Sequence, residues 1–105
     1  LIITHTFGFP DNVDEIKRIA KDKIIVEDCS HSFFAKYKGQ YTGTFGDAAI
    51  FSTGLAKFPP IGAGGFILIN NFKLFSDFEM EYSKLPKPSK LESLKSFVKA
   101  VLSSI

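Results

Sequence analysis

A single cysteine, a charge balance close to zero and the lack of any apolar run of membrane-spanning length set the outer limits of this 105-residue chain. One thiol cannot build an internal disulfide framework, so a packed core must hold the fold, and an intracellular setting suits it. Thirteen Lys and Arg against eleven Asp and Glu leave a net charge of +2, with the basic residues scattered through the second half instead of gathered in a block. Nothing in that distribution demands nucleic acid. No leader of the charged-then-apolar kind opens the chain, and a cytoplasmic protein away from the membrane is the expectation. Imidazoles are scarce as well. His5 and His31 are the two, too few for a metal centre, and no metal is expected. There is no internal repeat and no low-complexity tract.

What is present is the composition of a globular chain, 45% hydrophobic and 23% charged, at a length that allows one domain at most. It opens inside a strand-like run, LIITH, and closes on VLSSI, an apolar helical pattern without a stop signal. Both ends read as cut, and the expectation is a fragment of a longer protein.

Leu1 to Thr4 reads as a strand, and THTFGFP as a turn. Asn12 followed by Glu15 has the capping-box pattern, with Asp11 an equally good cap. Val13, Ile16, Ile19 and Ala20 then recur at helical spacing opposite a charged face. Lys23 to Glu27 is a second strand, so strand, helix and strand imply parallel pairing through a right-handed crossover. SFFAKYKGQYTGTFGD, 32–47, reads as a short helix and a turn-rich loop. AAIFS, 48–52, is a third strand, TGLAKFPPIGAGG a long loop carrying Lys57, and GFILIN, 65–70, a fourth strand. Residues 71–84 read as a helix with Phe72, Phe75, Phe78 and Tyr82 on one side, broken by LPKPSK. Beyond it Leu91, Leu94, Val98, Val101, Leu102 and Ile105 fall at helical spacing.

The chemistry gathers in IIVEDCSHS, 24–32, where an apolar run ends in Glu27, Asp28, Cys29, Ser30 and His31. In an open α/β sheet, ligands sit outside the carboxyl ends of the parallel strands. Asp28 and His31 leave the second strand at that end, and Ser52 and Lys57 leave the third. An acid, an imidazole, a hydroxyl and an amine thus surround one crevice. The competing reading is structural: Asp28 caps the following short helix, His31 covers the sheet and Lys57 is a solvated lysine. Cys29 and His31 are too close in sequence for a nucleophile and its base, and Cys29 reads as a small buried hydrophobe. GAGG, 62–65, is a weak phosphate-loop signal that equally lets a loop enter a strand tightly.

From residue 3 to 71, about two thirds of the chain, these motifs occur in the order of a known family. A G-x-P turn precedes a helix, EDC-S-H follows a strand, and GTFGDAAIFS comes next. Lys57 then lies beyond Ser52, and a Gly-rich turn enters a strand. The chain resembles the DegT/DnrJ/EryC1/StrS family of pyridoxal-phosphate-dependent sugar aminotransferases, of the aspartate-aminotransferase fold type. The resemblance implies an α/β fold, a mostly parallel sheet flanked by helices, with GFILIN its one antiparallel strand. It implies that 1–71 is the central part of the cofactor-binding large domain and 72–105 a divergent helical continuation. The N-terminal part and the small domain are absent from these residues.

The resemblance also assigns roles. Asp28 matches the aspartate that binds the pyridine nitrogen, His31 the residue stacked on the cofactor ring, and Ser52 the hydroxyl that binds the phosphate. Lys57 matches the lysine that holds pyridoxal 5'-phosphate covalently. Sugar dehydratase relatives have histidine at that place, so Lys57 favours transamination, from an amino acid such as glutamate to a nucleotide-linked keto-sugar in polysaccharide or surface-sugar biosynthesis. Family members are homodimers. Phe58 and Ala63 depart from the usual lysine loop and Gly-rich turn. The rival readings are a regulator that binds the cofactor or a sugar nucleotide without turnover, and an inactive truncated remnant.

Overall fold

The computed structural model describes residues 1–62 and 64–102. Ala63 and Ile105, which figure in the sequence reading, lie outside the described residues. Six strands and three helices follow in chain order: β1 (Ile2–Thr4), α1 (Val13–Ile19), β2 (Val26–Asp28), β3 (Lys36–Tyr37), β4 (Gln40–Tyr41), β5 (Ala48–Ser52), β6 (Gly65–Ile69), α2 (Phe75–Ser83) and α3 (Lys90–Leu102). Single 3-10 turns at Thr6–Gly8 and Phe72–Leu74 precede α1 and α2.

The sheet runs β1-β2-β5-β6. β1 pairs parallel with β2 and β2 parallel with β5, while β6 returns antiparallel along β5. This is the expected mixed, mostly parallel α/β sheet. Because side chains alternate along a strand, the register puts Ile3, Glu27 and Ala49 on one face and Ile2, Val26 and Ala48 on the other. α1 covers the first face: Ile16 and Ala20 pack with Ile3 and Ile25. Farther along, Cys29, Ala49 and Phe51 form a second cluster under Phe33, and Phe51 stacks on Phe66 across the β5–β6 pair, ring centres 4.7 Å apart. Among the described residues no helix is long and apolar enough to cross a membrane.

Three expectations need correction. The segment 32–47 carries no helix. It turns through Ser32–Ala35, where Ala35 N–H donates to the Ser32 carbonyl, and then forms the β3–β4 ribbon. Lys38 and Gly39 both have positive φ, 49° and 86°, which is the two-residue hairpin turn whose twist matches antiparallel strands. Lys38-Gly39 was the turn signal. The second strand starts at Val26 instead of Lys23, since Lys23 N–H still donates to the Ala20 carbonyl behind α1. The Asn12 capping box is half formed: Asn12 Oδ1 accepts from Glu15 N–H (3.3 Å), but Asp11, not Glu15, caps Asn12 N–H. Glu15 pairs with Arg18 instead. A reciprocal box exists at α3, where Ser89 and Glu92 each accept from the other's N–H (3.2 and 2.8 Å).

Candidate active site

β2 and β5 are parallel, with Asp28 level with Ile50, so their carboxyl ends open on the same side of the sheet. Asp28 is the last residue of β2 and Ser52 the last of β5. Past Ser52 the chain turns tightly: Gly54 N–H reaches Ser52 Oγ (3.5 Å), and Lys57 N–H donates to the Gly54 carbonyl (2.9 Å). That turn folds Lys57 back over the strand ends.

Two adjoining cavities result. One, about 290 Å³, is lined by Thr4, Thr6, Asp28, Ser30, His31 and Lys57. The other, about 370 Å³, shares Ser30, His31 and Lys57 and is walled by Phe7, Phe33 and Phe58. The predicted acid, imidazole and amine therefore meet at one opening. Ser52 lines neither cavity; it lines a separate one of about 600 Å³ with Phe66, Phe78 and Tyr82, and a β-carbon on Gly54 would sit 3.7 Å from both Ser52 Oγ and Lys57 Cγ. A larger cavity of about 610 Å³ runs along α3 between Leu94, Val98 and Leu102, with only lysine side chains for chemistry, and lies apart from this opening.

Electrostatics distinguish the members. Ser30 holds the Asp28 carboxyl below its ordinary 3.8, through its hydroxyl and its N–H (3.0 Å), with smaller contributions from His31 and Lys57. Asp28 thus caps a turn, where the structural reading expected a short helix, and also faces the cavity. Burial pushes the Cys29 thiol up to about 11. Wedged among Ala49 and Phe51, it is the small hydrophobe expected, poorly suited to act as a nucleophile.

Glu27 and His5 carry a role that sequence reasoning missed. Glu27, fully buried, accepts from His5 Nε2 (3.0 Å) and from the N–H groups of Gly43, Phe45 and Gly46 (2.7 Å each). Asp11 N–H donates to His5 Nδ1 (3.0 Å), so the ring proton sits on Nε2 and points at Glu27. From the other side Asn70 Nδ2 donates to the carbonyls of Gly43 and Gly46 (2.9 and 3.0 Å). The GTFG loop is therefore pinned by its backbone. The signal was the period of two: Ile25, Glu27 and Cys29 share one face, and a carboxylate in that row must find donors. His5, Glu27 and Cys29 also place ligand-type atoms within 4.8 Å of one another. Asp11 already occupies Nδ1 and Glu27 already takes four donors, so a metal there would have to break this network.

Comparison with known proteins bears on this arrangement. The model of the DegT/DnrJ/EryC1/StrS aminotransferase family matches residues 1–82. GDP-perosamine synthase of Escherichia coli O157:H7 is 36% identical over 77 residues, 71% of this chain and 21% of that protein. A crystal structure of a DegT DnrJ EryC1 StrS aminotransferase from Brucella abortus superposes with a TM-score of 0.65 at 28% identity, over 74% of this chain and 22% of its own. The aminotransferase from Psychrobacter cryohalolentis gives 0.61 at 25% identity, over 84% and 26%. The chain spans about a fifth of the length of the curated relatives it matches.

Proposed function

Because the chain belongs to the DegT/DnrJ/EryC1/StrS aminotransferase family, we propose that residues 1–71 are the central part of the cofactor-binding large domain of a pyridoxal-phosphate-dependent aminotransferase. Residues 72–105 are its divergent continuation, helical over Phe75–Ser83 and Lys90–Leu102. The intact protein is a homodimer that moves an amino group from an amino acid, glutamate foremost, to a nucleotide-linked keto-sugar in polysaccharide or surface-sugar biosynthesis. The observation that carries this reading is the opening shared by Asp28, His31 and Lys57.

The residues fit the cofactor. Ser52 Oγ and Lys57 Cγ both lie within 3.7 Å of one point beside Gly54, and Asp28, held below its ordinary range, is an anion at neutral pH facing the opening that His31 and Lys57 share. Pyridoxal phosphate, when bound, supplies an electron sink for negative charge developing on a substrate carbon. Asp28 would hold a proton at the pyridine nitrogen, which that charge delocalisation needs. His31 would supply a flat ring beside the cofactor, and Ser52 Oγ would bind its phosphate. Lys57 Nζ would hold the cofactor, and its amine would serve to move a proton at the substrate carbon. An amine at this place, where an imidazole would suit dehydration, is what selects transamination.

Borohydride reduction in the presence of pyridoxal phosphate, followed by peptide mass mapping, tests the reading on the longest natural chain containing this segment. The expected adduct lies on the peptide carrying Lys57, and Lys57→Ala abolishes it. An unchanged covalent adduct in that variant would refute the assignment.

A further inference from the structure

The 3-10 turn at Thr6–Gly8 hangs from the end of β2. His5 N–H donates to the Asp28 carbonyl (3.1 Å), and Phe9 N–H closes the turn on the Thr6 carbonyl (3.0 Å). Inside it Phe7 sits at φ 52°, ψ 33°, in the left-handed region that a bulky L-residue avoids. Its ring is 77% exposed, so burial does not offset that conformation. Two other side-chain-bearing residues share a positive φ, and each has a local reason. Lys38 belongs to the hairpin turn, and Phe34 (φ 64°) packs its ring on Phe33 and Tyr41, 4.4 and 6.3 Å between centres.

Phe7 lies in no hairpin turn, and its ring has one aromatic partner instead of two. Its ring contact among the described residues is with His31, centres 5.4 Å apart and planes tilted by 42°. Behind it, a β-carbon on Gly8 would sit 3.8 Å from the His31 carbonyl oxygen, so the turn's backbone also lies along His31. Phe7 and His31 together wall the cavity that Lys57 enters. Strain that packing does not explain, beside a cavity, is where function is to be sought. An exposed imidazole is otherwise free to change rotamer, and an aromatic neighbour on one side removes most of that freedom.

We infer that Phe7 is a positioning residue that holds the His31 ring in the plane it presents to the cavity. The inference rests on the cofactor site proposed above. It gives the left-handed turn before the Gly8-Phe9-Pro10 stretch a purpose: the turn delivers an aromatic wall to an imidazole more than twenty residues on.

Three variants, Phe7→Gly, Phe7→Leu and Phe7→Tyr, test it on the longest natural chain containing this segment. Without cofactor, the imidazole proton shifts of His31 carry a ring-current displacement in the wild type and in Phe7→Tyr, lost in the other two. Affinity for pyridoxal phosphate, read from the absorbance of the bound form, falls about three- to ten-fold in Phe7→Gly and Phe7→Leu and is kept in Phe7→Tyr. Phe7→Gly melts at or above the wild-type temperature, because glycine accepts the left-handed conformation. Unmoved His31 shifts in Phe7→Gly, or unchanged affinity, overturn the inference; so does a lowered melting temperature that tracks the loss of affinity. A wild type that takes up no pyridoxal phosphate overturns the function proposed above instead, and the His31 shifts then still decide whether Phe7 orients the ring.

Discussion

Glu27 and Asp28 are consecutive carboxylates on one short strand, and the pleat sends them to opposite faces. Glu27 is fully buried and takes four hydrogen bonds, three of them from the backbone of the 43–46 loop. Asp28 is half-buried, is held by Ser30, and faces a cavity with His31 and Lys57. One charge type does two jobs, and the supply of donors decides which. A carboxylate whose lone pairs are filled by its own fold is a fastener; one capped on a single side, near an imidazole and an amine, still has capacity for a ligand. The faces divide the same way. Over β1, β2 and β5, Glu27's face is closed by α1 and the pinned loop, with Ile3 and Ala49 buried, whereas Ile2 and Ile50 on Asp28's face remain 69% and 44% exposed.

Glu27→Gln tests the fastener and carries the largest expected effect. The amide keeps the shape but turns one acceptor into a donor facing N–H groups. A loss of about 3–5 kcal/mol is expected, read as a lowered urea midpoint. Stability within about 0.5 kcal/mol of wild type would mean that the loop is held elsewhere and the contrast with Asp28 is empty.

Asp28→Asn should invert that pattern. The side chain still caps Ser30 N–H, so stability stays within about 1 kcal/mol. Pyridoxal phosphate binding weakens by about tenfold or more, the worth of one charge-assisted hydrogen bond. Equal destabilisation by the two substitutions would erase the distinction between fastener and ligand group.

How much of this could be read from the sequence follows the range of the interactions. Ala48–Ser52 and the start of β6 were legible to the residue, because an apolar run bounded by Asp47 and by glycines leaves little choice. Asp28, His31 and Lys57 were legible as neighbours, because parallel strands bring their carboxyl ends to one side whatever the loops do. The Lys38-Gly39 hairpin lost to a short-helix reading of aromatics that instead pack as pairs, Phe33 on Phe34 and Tyr37 on Phe45. The Glu27 network was not legible in detail, since His5 lies twenty-two residues before it and its other donors lie sixteen to nineteen residues after it, on a loop whose path only the fold determines. Phe7 was hidden for another reason: nothing in THTFGFP tells which residue takes the left-handed conformation, and glycine would have been the first choice.

Acid is the mildest way to probe the two sides together. Asp47 stands on the fastening side: Ile25 N–H (2.8 Å) and then Asn71 Nδ2 (2.7 Å) hold its carboxyl below the ordinary 3.8. Ser30 does the same for Asp28 on the open side. A carboxyl whose native value is depressed contributes stability that is complete above its unfolded value and drains away as pH falls through the native one. Both contributions are therefore intact at neutral pH and lost below about pH 4. Urea midpoints measured from neutral pH down to about pH 3 should fall in the wild type and fall less steeply in Asp47→Asn, which no longer has that proton to take up. Asp28→Asn should flatten the same curve more weakly, and its distinctive mark is in binding. Cofactor affinity in the wild type should drop as acid protonates Asp28, while in Asp28→Asn that part of the drop is already spent. If Asp47→Asn alone flattened both the stability curve and the binding curve, the acid response of the site would belong to the scaffold, and Asp28 would be one more turn cap.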